Sequence, residues 1–479
     1  MRASLACSVI GSERDMTVGP DDKICETQSD RDPPYPATRW AWYTVMVLLC
    51  AYIFSFVDRQ ILNLLVAPVR RDLGITDTQM SLLIGFSFAV FYSVLGLPFG
   101  RLADSVSRPR LIVAGMLTWS LMTGGCGLIR SYGQLFLLRM GVGIGEATLT
   151  PAAYSMISDS FPPAERAMAF SVYTTGIYVG GGSAFLFGGL LLRSFGVREM
   201  FRLPLVGMVR PWQTLFLLLG ISGVVFVLVL LTLSDPARKG ARVLKSGPRG
   251  PKLERIPFGI VRNYFWDNRA TLLSLILGMA LVALASYGTS AWAVTFLIRN
   301  HQMPASRAGI LFGGAQILGG SLGMLAAGKS VSWLLRRGHQ DAYARVAAVS
   351  CACWLVPGIL YPLLSHTAAV VALIYAATFL LGMPTCLIPS AIQELVPNVM
   401  RGQATALYLL LVNLIGLGIG PTAVALMTDH VFGFDSAVRY SLLIVPLVAI
   451  LMAGILFLFA LRSYGSSLGH LEIWLKENL

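Results

Sequence analysis

Charge is what this 479-residue chain has least of. Only 13% of its residues are Asp, Glu, Lys or Arg, against about 25% in a soluble domain. With 55% hydrophobic residues and a mean hydropathy of +0.69, that shortage excludes a water-soluble globular protein and points to a membrane protein. The net charge is +13, yet the clustered basic-aromatic segments of a nucleic-acid interface are missing, so no nucleic-acid partner is expected. Cysteine is scarce too. The seven include Cys50, Cys126 and Cys386 inside apolar runs, and Cys351 and Cys353 one residue apart; they form neither a disulfide framework nor a zinc spacing. The five histidines show no metal-site spacing either. No Asn-x-Ser/Thr site occurs, which suits a bacterial inner membrane. Residues 1–39 are polar and end in DPPYP; SLACSVIG within them is too short for a secretory signal, and the segment reads as a disordered tail.

Long apolar runs are plentiful. Twelve have roughly the 20 residues that a bilayer helix needs: 42–68, 79–100, 109–129, 133–158, 166–192, 212–233, 270–297, 307–334, 345–364, 368–393, 402–427 and 440–461. These predict an all-α membrane protein with six-helix bundles over 40–233 and 270–462. The basic linker between them, 234–269, carries nine Lys/Arg from Arg238 to Arg269. Loops that are inside if both termini are inside hold 18 Lys/Arg, and the opposite loops 10. That bias predicts two cytoplasmic ends. The tail, 463–479, includes HLEIWLKENL, whose apolar spacing fits a short helix lying on the inner membrane face. The halves repeat weakly: Pro162, Arg166 and Tyr173 recur at the same offsets as Pro397, Arg401 and Tyr408. Two related bundles with a linker suit alternating access around a site at their interface.

GMLAAGKS, Gly323 to Ser330, formally matches a phosphate-binding loop. That chemistry needs a preceding strand and a helix N-terminus, and this match sits at the end of a membrane helix. It aligns with GRLADS in the first half, which does not match. GRLADSVSRPR, Gly100 to Arg110, resembles the cytoplasmic signature of the major facilitator superfamily, G-x-L-A-D-x-x-G-R-[RK], with Ser107 and Pro109 departing from it. The resemblance implies a major facilitator fold and a conformational latch at Gly100, Asp104 and Arg108. In the fourth span LLRMGVGIGEATLTP supplies Arg139, Gly143 and Gly145 of the R-x-x-x-G-x-G pattern. Arg139 and Glu146, two turns apart, share a face, which is expected to turn toward the cavity between the halves. The antiporter-type glycine pattern of the fifth span is only partial, so it gives no direction of transport.

FSFVDRQILNLLV, Phe54 to Val66, places Asp58 beside Arg59 inside an apolar run. Each costs about 2.5–3.5 kcal/mol on insertion scales, so intramembrane charges mark function by default. VDRQ together with RMGVGIGE resembles the spinster family, a lipid-transporting branch of that superfamily. The resemblance covers about Tyr52 to Tyr173. It implies transport of sphingolipid phosphates or lysophospholipids, with membrane carboxyls in proton coupling.

Adjacent helical residues point about 100° apart, so Asp58 and Arg59 cannot simply neutralise each other. Arg59 shares a stripe with Tyr52, Phe56 and Asn63. Desolvation favours the protonated form of a carboxyl and a nearby arginine opposes it. Asp58 and Glu146 are therefore the expected proton carriers, with Asp58 favoured, and Arg59 and Arg139 the head-group or gating residues. A static ion-pair network that fixes packing is the alternative. Tyr52, Phe56, Asn63, Phe88, Tyr92, Tyr178, Tyr287 and Trp292 are candidate lining residues, although membrane aromatics more often pack. A charged first half facing an apolar, aromatic second half suits an amphiphilic anion. The expectation is a monomeric proton-coupled secondary transporter in the inner membrane with no cofactor beyond the proton; the alternatives are a carrier of small organic anions or drugs, and a non-transporting receptor. No enzyme constellation is present.

Overall fold

A computed structural model describes residues 35–195, 201–203, 207–238, 244–247, 250–252, 258–397 and 400–478. The tail expected to be disordered lies, up to residue 34, outside the described residues. The chain divides into one unit of Met1–Tyr35 with Ala237–Glu254 and another of Pro36–Pro236 with Arg255–Leu479. In the first, the described residues form an antiparallel ribbon of Leu244–Gly247 and Gly250–Lys252.

Among the described residues, the second unit is built around twelve long helical rods, with shorter helices over Val66–Leu73 and Phe258–Asp267. In the first half the rods are α1 (Thr38–Leu64), α2 (77–105), α3 (Arg108–Cys126), α4 (132–160), α5 (163–195) and α6 (Pro211–Leu230). In the second half they are α7 (Arg269–His301), α8 (Ala305–Arg336), α9 (Ala342–Leu363), α10 (Thr367–Leu395), α11 (Arg401–Phe432) and α12 (Val438–Asn478). Hydrocarbon offers the backbone no partners, so helices that satisfy their own N–H and C=O groups are the economical solution. Ten of the rods are long and apolar enough to cross a membrane by length and hydropathy alone. The other two are α3, with charged and polar residues along it, and α4, broken between Glu146 and Leu149. At that break the Thr148 hydroxyl donates to the Gly145 carbonyl at 2.9 Å, a local bond that competes with the helical ladder. Apolar residues such as Ile221 and Leu228 on α6, and Met452 and Leu458 on α12, face outward, as a lipid-facing surface requires.

The weak sequence repeat has a structural counterpart. Arg166 donates its Nε to the Phe161 carbonyl at 2.9 Å, and Arg401 does the same to the Val396 carbonyl at 3.4 Å. In both halves the arginine folds back over the residue preceding the shared proline, and Tyr173 and Tyr408 are buried.

Two elements differ from the expectation. Residues 463–478 are helical, but they prolong α12 and do not form a separate surface helix. The reason is polar docking: Ser467 donates to Thr271 at 2.8 Å, His470 lies 3.3 Å from Asn268, and Trp474 meets Tyr264 edge-on. The basic linker also contains a helix, Phe258–Asp267, which buries Val261 and Tyr264 and exposes Arg262 and Trp266. A short antiparallel ribbon, Phe201–Leu203 with Gly207–Val209, precedes α6.

Candidate functional site

On α1 the adjacent Asp58 and Arg59 turn to different neighbours, as their angular separation requires. Arg59 donates Nε to Glu146 Oε2 at 2.8 Å, and the Ser55 hydroxyl donates to the same oxygen at 2.5 Å. Arg59 Nη2 also donates to Ser55 Oγ at 3.3 Å. Three rings enclose the guanidinium: its carbon lies 4.9 Å from the Phe56 centroid, 4.6 Å from Phe88 and 4.4 Å from Tyr92. Desolvated cation–π contacts contribute up to about 2 kcal/mol each. Tyr52 extends the cage, meeting Phe56 edge-on and stacking on Tyr173 at 4.5 Å. From the second half, Tyr287 packs against the cluster that holds Tyr52, Phe56 and Phe88. The pair is buried, with Arg59 5% and Glu146 1% exposed. Glu146 Oε1 has no hydrogen-bond partner among the described residues.

Asp58 and Arg139 are also buried, but inside the first half. Thr123 of α3 donates to Asp58 Oδ2 at 2.8 Å. Arg139 donates to the Asp58 carbonyl at 3.2 Å and to the Leu83 carbonyl at 3.4 Å. Arg139 and Glu146 share a helix face, yet they meet different layers of the bundle. Glu146 bonds the caged guanidinium, while Arg139 reaches only the Phe88 ring, 5.7 Å from its centroid. The glycines of the same motif serve packing: a Cβ on Gly143 would come within 2.7 Å of the Phe88 carbonyl oxygen, and one on Gly145 within 2.7 Å of the Trp119 nitrogen.

The other expected residues are dispersed. Asn63 donates Nδ2 to Gln60 Oε1 at 2.5 Å. The hydroxyls of Tyr178 and Thr385, 3.3 Å apart, join α5 to α10. Trp292 donates to the Pro421 carbonyl at 2.9 Å and is fully buried between α7 and α11, away from the cage. Gly100 approaches Pro151 of α4. The side chain of Asp104 lies outside the described residues. Arg108 is fully buried, donating to Asp235 at 2.7 Å, Asp159 at 2.5 Å, Ser155 at 2.9 Å and the Pro236 carbonyl at 2.5 Å.

Two groups were not singled out from the sequence. One is a neutral ladder across the halves: Ser290 donates to Gln60 Oε1 at 3.0 Å, and Gln316 donates to Ser290 Oγ at 3.2 Å. Gln60 stood in the VDRQ motif, but nothing in spacing joins it to α7 or α8. The other is an ionic cluster at one end. Arg299 holds Asp77 through two bonds of 2.6 and 2.8 Å, and Arg70 reaches Asp435 at 2.7 Å. Asp429 accepts from the Thr78 nitrogen and hydroxyl, both at 2.7 Å. These contacts bridge the halves at what is here termed the Asp77 end. In the loop before α12, the Arg70 hydrogen bond holds the Asp435 carboxyl below its ordinary range. From the sequence, Arg70 and Arg299 count only as loop charges for orientation, and nothing singles out Asp77, Asp429 or Asp435.

The chain that carries this caged ion pair has relatives in sequence and in fold. The sequence profile of the Major Facilitator Superfamily matches residues 48–421. An MFS-type efflux pump of Mycolicibacterium smegmatis is 30% identical over 416 residues, spanning 86% of this chain and 89% of the relative. A probable L-galactonate transporter of Escherichia coli is 24% identical over 314 residues, spanning 63% of this chain and 64% of that one. Among solved structures, a bacterial homolog of the human lysosomal transporter spinster, in an inward-facing and unoccupied conformation, superposes with a TM-score of 0.77 and 26% identity, covering 90% of this chain and 99% of that one. The chain belongs to the Major Facilitator Superfamily and is a multi-pass membrane transporter with the fold of a spinster homolog.

Proposed function

We propose that this protein is a proton-coupled secondary transporter of amphiphilic, lipid-like anions. The observation that carries the reading is the buried Arg59–Glu146 pair inside an aromatic cage at the interface between the halves. A substrate anion entering the cage competes with Glu146 for the guanidinium. A buried carboxylate that loses its counter-charge is costly, and a proton removes that cost. Anion and proton therefore bind together and leave together. Asp58, one layer deeper with Oδ1 unpartnered among the described residues, is the second carboxyl that can take part. The apolar rings beside the cation suit a hydrocarbon tail next to an anionic head. Loop Lys/Arg counts place both termini and the Arg108 end in the cytoplasm, so the bridged Asp77 end is the outer one.

A second reading, export of hydrophobic drugs, is favoured by the mycobacterial efflux relative. A drug without an anion does not displace Glu146 from Arg59, so its transport leaves that pair intact.

The test is uptake into proteoliposomes of lysophospholipids, sphingoid phosphates, small aromatic acids and a hydrophobic drug under an imposed pH gradient. One coupled proton supplies up to about tenfold accumulation per pH unit. Wild type is expected to concentrate a lipid anion by a factor that follows the gradient, and Glu146→Gln to reach equilibrium only. Gradient-driven accumulation that survives in Glu146→Gln contradicts the assignment.

A further inference from the structure

The neutral ladder next to the ion pair has chemistry that coupling does not use. Gln60 Oε1 accepts from both Asn63 and Ser290, and Ser290 accepts in turn from Gln316. Gln60, Asn63 and Ser290 are all more than nine-tenths buried. Asn63 Oδ1, an acceptor, has no donor among the described residues. Beside the ladder lies a cavity of about 10 Å³ lined by Ser290, Gln316, Ser286, Thr289, Tyr178 and Thr378, about enough for one water. Buried polar groups persist where something satisfies them, and this group has an acceptor to spare.

Position in the helices fixes where the ladder stands relative to the cation. Asn63 is four residues beyond Arg59 on α1, about 6 Å along the axis. On α7, Ser290 is three residues beyond Tyr287, which packs against the rings around Arg59. Both steps run toward the Asp77 end. The ladder therefore sits about one helical turn past the cation, toward the bridged end.

We infer that Gln60, Asn63, Ser290 and Gln316 form a subsite for hydroxyl groups, which takes the polar head of an anion whose charge rests on Arg59. The inference rests on the anion-transport reading. The substrate class it names is an anion with one or more hydroxyls about 6 Å from its charge, one helical turn on the α1 scale. A lipid head such as phosphoglycerol and a free sugar acid share that chemistry. In the present conformation the ladder bonds to itself across the halves. A substrate hydroxyl replaces the Gln60–Ser290 bond and supplies the donor that Asn63 Oδ1 lacks. A hydrocarbon in the same place leaves those groups unpaired, and a site built to bond a hydroxyl rejects an analogue without it.

Two matched pairs of substrates test this in proteoliposomes. Lysophosphatidylglycerol is compared with lysophosphatidylpropanol, and gluconate with hexanoate, in wild type, Ser290→Ala and Asn63→Leu. Wild type should prefer the hydroxylated member of at least one pair by about tenfold or more in KM. Both variants should bring that ratio close to one. The ratio is insensitive to how much protein folds, so poor expression does not mimic the result. A preference confined to the lysophospholipids makes a lipid head-group the occupant, and one confined to gluconate makes it a free hydroxy acid. No preference in wild type, or a preference unchanged in both variants, overturns the subsite while leaving anion transport standing. Failure to transport any of the four anions overturns both.

Discussion

An arginine at position 59 does work that a lysine could not. Its planar fork bonds Glu146 and Ser55 at once, and its faces lie against Phe88 and Tyr92. Such a group can change partners without leaving the cage. Arg108 shows the opposite design, a guanidinium locked by two carboxylates, a serine and a carbonyl. Arg108→Ala removes the guanidinium that Asp159 and Asp235 share. It should lower stability by about 3 kcal/mol, the low end for breaking a buried pair, because both carboxylates keep some access to water. Denaturant unfolding in detergent checks this, and a variant as stable as wild type contradicts it. At this scale the sequence told that Asp58 and Arg59 must part, because adjacent positions diverge on a helix. It did not tell which carboxyl each arginine would meet. Arg139 looked like a partner for Glu146 by period, yet depth in the bundle sends it to the Leu83 and Asp58 carbonyls.

Among the helices that join the halves, three carry wide π turns: Leu82–Phe86 in α2, Ala315–Gly320 in α8 and Val412–Ile419 in α11. Such turns recur at functional sites. The α2 and α11 turns abut at Gly85, where a Cβ would collide with the Leu417 carbonyl oxygen. This approach holds α2 of the first half against α11 of the second. Gly85→Ala should therefore disfavour this conformation. Overpacking against backbone costs about 1–3 kcal/mol, enough for a shift of about tenfold in population. Spin labels at Leu128 and Phe434, both exposed, should report longer distances in the variant; an unchanged distance distribution contradicts the role. The twelve spans were legible because hydrocarbon demands length and apolarity. The π turns, the break in α4 and the prolonged α12 were not. Each depends on a neighbour: a facing carbonyl, a threonine hydroxyl, or a docked surface on α7.

Over the whole molecule, two ion pairs join the halves at the Asp77 end among the described residues, Arg299–Asp77 and Arg70–Asp435. The Arg59–Glu146 pair lies at the interface where the neutral ladder also crosses. Rocking the halves apart at that end must break both of these pairs and open the ladder. The two-bundle plan was readable in the repeat of Pro162, Arg166 and Tyr173 with Pro397, Arg401 and Tyr408, because a shared turn needs the same residues twice. The bridging contacts were not, because their partners stand more than 200 residues apart. The proposed linkage between anion and proton is the claim on which the functional reading depends. It is tested most directly by adding a lysophospholipid anion to purified protein in weakly buffered detergent solution and following the pH. Wild type should take up about one proton per anion bound, raising the pH, since the freed Glu146 carboxylate is neutralised, whereas Glu146→Gln should take up none. Binding with no pH change in wild type, or with proton release, would contradict the coupling.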